Sequence, residues 1–229
     1  MKKTALLLAA LAAGASLSAQ DSTYSVTVDF PYTSKYVFRG IQYAEDSVQP
    51  SVEFATGNFY AGVWTNQPLT SNIDNEVDFY AGYGLALTDT WKLDAGVTMY
   101  YYPELDSSSG LDRETYEGYV GLTGAVAGFT PAFYAYYDFT LENFTYQGSV
   151  GYSIPVGERF SLDPSVTVGY VDNDVGTNYT YWGVGVNLPY KLTDKATLTL
   201  GGQYAGNDLD DDTIEDENFY VTAGITIGL

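Results

Sequence analysis

Residues 75–87 read NEVDFYAGYGLAL. Val77, Phe79, Ala81, Tyr83, Leu85 and Leu87 fall at every second position, while Glu76, Asp78, Tyr80, Gly82, Gly84 and Ala86 fall between them. A period of two divides a strand into an apolar face and a polar or small face. A helix would need apolar residues at a spacing near 3.6, and Gly, Tyr and Val are poor helix formers. The same division recurs in KLDAGVTMYY, residues 92–101 plus Tyr102, and in FYVTAGITIGL, residues 219–229. Working outward from these segments, alternation marks strands over residues 22–40, 48–56, 58–66, 75–87, 91–102, 115–126, 129–139, 144–154, 161–171, 179–189, 196–205 and 218–228. Many have the roughly 9 to 11 residues that a tilted strand needs to cross a bilayer.

The connections alternate as well. Tight turns ATGN, LTDTWK, VAGF, VGERFS and KLTDKA are interleaved with IQYAEDS, NQPLTSNID, PELDSSSGLDRE, the short TLEN, DNDVGTN and GNDLDDDTIEDEN. A membrane barrel with both termini in the periplasm gives this pattern of short inner turns and long outer loops. Lys92, Arg159, Lys191 and Lys195 fall in or beside the tight turns, whereas the longer loops hold most of the acid. The expected fold is therefore all-β, a single antiparallel transmembrane β-barrel of about twelve strands, in the outer membrane.

Composition narrows the chemistry. The chain has 9 basic and 29 acidic residues, no histidine and no cysteine. Lys2 and Lys3, the apolar run ALLLAALAAGA and then SLSAQ read as a signal peptide over residues 1–19, with the barrel occupying 20–229. The remaining surface is too acidic for nucleic acid, which needs a basic partner. Without histidine or cysteine, Ser-His-Asp triads, histidine-based zinc sites and thiolate chemistry are excluded. No catalytic residue, cofactor or metal centre is expected, and the partners are membrane lipid and small solutes or ions.

Near the start, TSKYVFRGIQ is followed by VQPSVEFATGNFYAGVW. These stretches resemble the N-terminal signature of the Gcw_chp family, also called TorF-type porins, most closely over residues 24–66. The resemblance implies an outer-membrane β-barrel whose function is poorly defined, and it assigns no catalytic or ligand-binding residue.

If the apolar face meets lipid, the other face lines a lumen. Parity then points Lys35 and Arg39 inward with Glu53, Asp78, Asp94, Glu117 and Asp138, and points Tyr36 and Phe38 to lipid. A bulge at Pro31 would reverse the parity of the residues after it. Two readings of the inward charges stand: a network that braces the barrel, or a constriction that selects solutes. The expected function is a porin-like channel for passive diffusion of small solutes or ions. The alternative is a closed barrel with a structural or surface-interaction role. The acidic stretch Asp208 to Glu217 suits divalent cations in ligand type, but its spacing is not that of an EF-hand loop.

Overall fold

Alternating segments of this length cannot bury an apolar face alone, and in the computed structural model they close on one another. The structure describes residues 24–70, 73–106, 110–174, 176–211 and 213–229; the expected signal peptide lies outside them. The strands are β1 (Ser25–Thr33), β2 (Tyr36–Phe38), β3 (Ile41–Ala44), β4 (Ser47–Val48), β5 (Ser51–Thr56), β6 (Phe59–Pro68), β7 (Glu76–Ala86) and β8 (Trp91–Tyr101). There follow β9 (Glu114–Gly124), β10 (Phe129–Asp138), β11 (Asn143–Tyr152), β12 (Ile154–Pro155), β13 (Ser161–Asn173), β14 (Tyr179–Lys191), β15 (Ala196–Asn207) and β16 (Glu217–Gly228).

Neighbours in sequence pair antiparallel around the sheet, and β1 meets β16 from Thr27 opposite Gly228 to Thr33 opposite Thr222. Because β11 also pairs β13, the sheet is a closed barrel of twelve strands. Closure removes the free edges that an open sheet of this size would expose. Segments β4 and β5 form one barrel strand between β1 and β6, interrupted at Gln49 and Pro50. Proline has no N–H to give to a ladder, which accounts for the break.

The parity holds along the barrel wall. Phe79, Tyr83, Leu85, Val97, Phe219 and Ile225 are exposed on the outside, while Tyr80, Tyr100, Glu117 and Asn218 are buried inside. Several inward glycines make room for tyrosine rings. A side chain at Gly82 would meet Tyr60, one at Gly121 would meet Tyr134, and one at Gly169 would meet Tyr181. The tight turns ATGN, LTDTWK, VAGF, VGERFS and KLTDKA lie at one end of the barrel, together with both ends of the described chain, where Leu229 N–H donates to the Val26 carbonyl at 2.9 Å. The longer loops and the short TLEN turn lie at the other end.

One expected strand is corrected. Residues 22–40 do not run as a single strand: β1 stops at Thr33, and β2 and β3 form a separate two-stranded hairpin. Tyr36 and Phe38 do not meet lipid, since they are 5 % and 2 % exposed. The hairpin lies inside the barrel, packed with Tyr100, Tyr102 and Trp64 on one side, while its Ile41 reaches Val171, Tyr179 and Tyr181 on the other. Each fully buried aromatic or aliphatic side chain of that kind contributes roughly 1.5–3 kcal/mol, enough to hold a short hairpin away from water.

Candidate functional site: the barrel interior

The hairpin turns at Arg39 and Gly40, whose φ values are 45° and 76°. Positive φ at both central residues is the signature of a type I′ turn, whose twist suits a tight two-residue hairpin. The left-handed region costs a non-glycine residue roughly 1–2 kcal/mol, so Arg39 needs compensation. It finds it in Glu117 on β9, whose Oε2 accepts from Arg39 Nη2 at 2.7 Å with both side chains 1 % exposed. Tyr100 donates to the other oxygen of Glu117 at 2.8 Å. The guanidinium also lies 4.9 Å from the Phe38 ring centre and 5.1 Å from that of Tyr136. Burial opposes the charge on Arg39, and the Glu117 carboxylate supplies its counter-charge. On the opposite wall, Asn207 Nδ2 donates to the Gly40 carbonyl at 2.8 Å. The tip is thus tied to β9 and β15 at once.

Not all of the inward charges gather here. Lys35 stays at the root of the hairpin, 3.0 Å from Glu215 and 2.9 Å from the Asn218 side-chain oxygen, away from Arg39. Asp138 accepts from the N–H groups of Thr140 and Leu141 at 2.8 and 2.7 Å, which shapes the short TLEN turn. Asp78 sits on the inward face of β7 with 0 % exposure and neither oxygen hydrogen-bonded. Nearer the short-turn end, Asp94 accepts from Tyr60 at 2.8 Å and Tyr134 at 2.9 Å, and Glu53 accepts from Tyr80 at 3.2 Å.

Three charges outside the expected cluster share the interior, each on the polar parity of its strand. Lys92, beside a tight turn, stands on the inward parity of β8 and lies over Gly84. Asp29 accepts from the Ser51 hydroxyl at 3.3 Å, and Glu76 from the Tyr102 hydroxyl at 3.2 Å.

Between the hairpin and the short-turn end lies a cavity of about 460 Å³, within the range of roughly 300–1,000 Å³ usual for small-molecule sites. One wall is tyrosine and carboxylate, with Tyr60, Tyr80, Tyr119, Tyr134, Glu53 and Asp94. The opposite wall is small or neutral: Ser149, Thr167, Gly183, Gly185 and Gln203. Arg39 forms part of the end beneath the hairpin.

In the Asp208 to Glu217 stretch, where Asp212 lies outside the described residues, several acidic side chains have partners within the chain. Thr213 donates to Asp211 through its N–H at 2.9 Å and its hydroxyl, holding that carboxyl below its ordinary pKa. Glu215 pairs with Lys35, and Glu217 accepts from the Tyr204 hydroxyl. Among the described residues no group of three acidic side chains converges on a metal-binding position.

Residues 18–226 match the sequence profile described as "Bacterial protein of unknown function (Gcw_chp)". The chain belongs to the Gcw_chp family. No curated protein is similar enough in sequence to match this Gcw_chp chain. Solved structures are similar in fold. The KdgM porin matches with a TM-score of 0.61 at 10 % identity, covering 88 % of this chain and 98 % of its own. The NanC porin matches at 0.58 and 16 %, covering 89 % and 100 %, and the COG4313 outer membrane channel from Pseudomonas putida F1 at 0.53 and 12 %, covering 92 % and 97 %. The Gcw_chp chain thus has the fold of these solved porins and channels, a closed antiparallel β-barrel of twelve strands.

Proposed function

We propose that the protein is a passive channel for small solutes or ions, in which the hairpin around Arg39 narrows the lumen and the Arg39–Glu117 pair braces it. The observation that carries this reading is the cavity of about 460 Å³ directly beneath a hairpin that crosses the barrel. The termini and short turns face the periplasm, and the acidic loops face outward. A narrow polar passage of this kind needs no nucleophile, base or cofactor, and the protein has no catalytic chemistry of its own.

A neighbour of the same fold is a KdgM porin in complex with disordered oligogalacturonate. Passage of a solute fits that comparison, but the lumen acids Glu53, Asp78 and Asp94 argue against extending the same solute to this chain. Divalent cations at Asp208 to Glu217 have no convergent carboxylates among the described residues to support them.

A second reading, a closed barrel with a structural or surface-interaction role, is favoured by the dense packing of Tyr36, Phe38, Tyr100 and Tyr102. Planar-bilayer recording separates the two. Discrete conductance steps, larger after residues 35–45 are replaced by a short Gly-Ser linker, support the channel. Absence of steps from inserted protein, intact or trimmed, sinks it.

A further inference from the structure

The guanidinium at the hairpin tip is not available to passing ions. Arg39 carries its counter-charge on Glu117 at 2.7 Å, and both side chains are almost wholly covered. A neutralised pair exerts only a short-range dipolar field on the passage.

Away from the pair, the balance is acidic. Glu53, Asp94 and Lys92 line the same cavity, and Asp29 on β1 faces Ser51, two residues before Glu53 on β5. Three carboxylates therefore share this part of the lumen with one lysine. At the long-loop mouth, Lys35 is already paired with Glu215, while Asp208, Asp210 and Asp216 add further acid.

We propose that the passage selects small cations, inorganic or ammonium-bearing, over anions, and that Asp29, Glu53 and Asp94 set this preference with Lys92 as a partial counterweight. This rests on the channel reading above. Partly buried wall charges are screened less by salt than exposed ones, and a passage lined by one sign of charge concentrates counter-ions. Lys92 lies over Gly84, where any larger residue would displace it, so its position is fixed by the sequence of the neighbouring strand.

The test is the reversal potential of the full-length protein in a planar bilayer across a tenfold KCl gradient. The wild type should show the potassium sign. Glu53→Gln and Asp94→Asn should each lower the potassium-to-chloride permeability ratio by about two- to fivefold, the range for partly solvated charges. Lys92→Gln should raise it, which keeps the test alive if a carboxylate variant fails to fold. Replacing the Arg39–Glu117 pair together with Met and Leu should leave the sign unchanged. A conducting wild type with the chloride sign, or a ratio that none of Glu53→Gln, Asp94→Asn and Lys92→Gln moves, overturns this inference alone. Inserted protein that does not conduct overturns the channel reading itself.

Discussion

The side-chain amide of Asn207, near the end of β15, donates to the carbonyl of Gly40 at the tip of the inserted hairpin, 2.8 Å away and 167 residues distant in sequence. Gly40 is held at φ 76°, and any side chain there would run into the Gly206 carbonyl oxygen. Gly40→Ala should therefore lift the tip from the wall of β15. The expected outcome is a lower thermal midpoint, corresponding to about 1–2 kcal/mol of backbone strain, together with larger or noisier single-channel current. An unchanged midpoint and current would mean that the tip is not seated against Gly206.

Glu117 is the group most exposed to loss of its partner. Arg39→Ala leaves a carboxylate that is 1 % exposed without its cation, and breaking a buried pair in this way costs about 3–5 kcal/mol. The double exchange Arg39→Met with Glu117→Leu removes both charges at similar volume and should be far milder. Urea unfolding in lipid vesicles checks the order: the single variant must be the less stable one.

Lys35 behaves differently because its ion pair is open to water, at 23 % and 63 % exposure for Lys35 and Glu215. Such a pair is worth about 0–1 kcal/mol and weakens with salt. Lys35→Ala should leave the unfolding midpoint nearly unchanged at 1 M salt. A loss as large as that of Arg39→Ala would show that the two lysine contacts act as a core brace.

Asp138 holds the turn at residues 139–142 through two backbone N–H groups. Asp138→Ala removes two charge-assisted bonds, each worth about 1.5–3 kcal/mol in a buried setting. The turn should become a site of cleavage by an added protease in intact outer-membrane vesicles. Resistance equal to that of the wild type would contradict the capping role.

The barrel was legible because alternation is a property of each strand taken singly. Phe79, Tyr83 and Val97 stand outside and Tyr80 and Tyr100 inside as parity requires. The hairpin was not legible in that way. Tyr36 and Phe38 continue the alternation of β1, and a period of two says nothing about which sheet a strand joins. Two signals were present nonetheless. A span of residues 22–40 exceeds what one crossing needs, and a residue before glycine, as in Arg39-Gly40, is compatible with a two-residue turn. Likewise, parity placed Arg39 inward but could not say that Glu117 would meet it or that Lys35 would not, since such pairings depend on where the hairpin docks.

Most strand pairs in this barrel join neighbours in the chain, so each needs only a short loop to close. Two sets of contacts do not. The β1–β16 seam joins the two ends of the described chain, and the hairpin leaving β1 reaches Glu117 and Asn207, 78 and 167 residues away. Contacts of such separation carry the largest closure cost. The strand that completes the cylinder thus also emits the segment that fills it, so sealing the wall and furnishing the interior draw on the same stretch of chain.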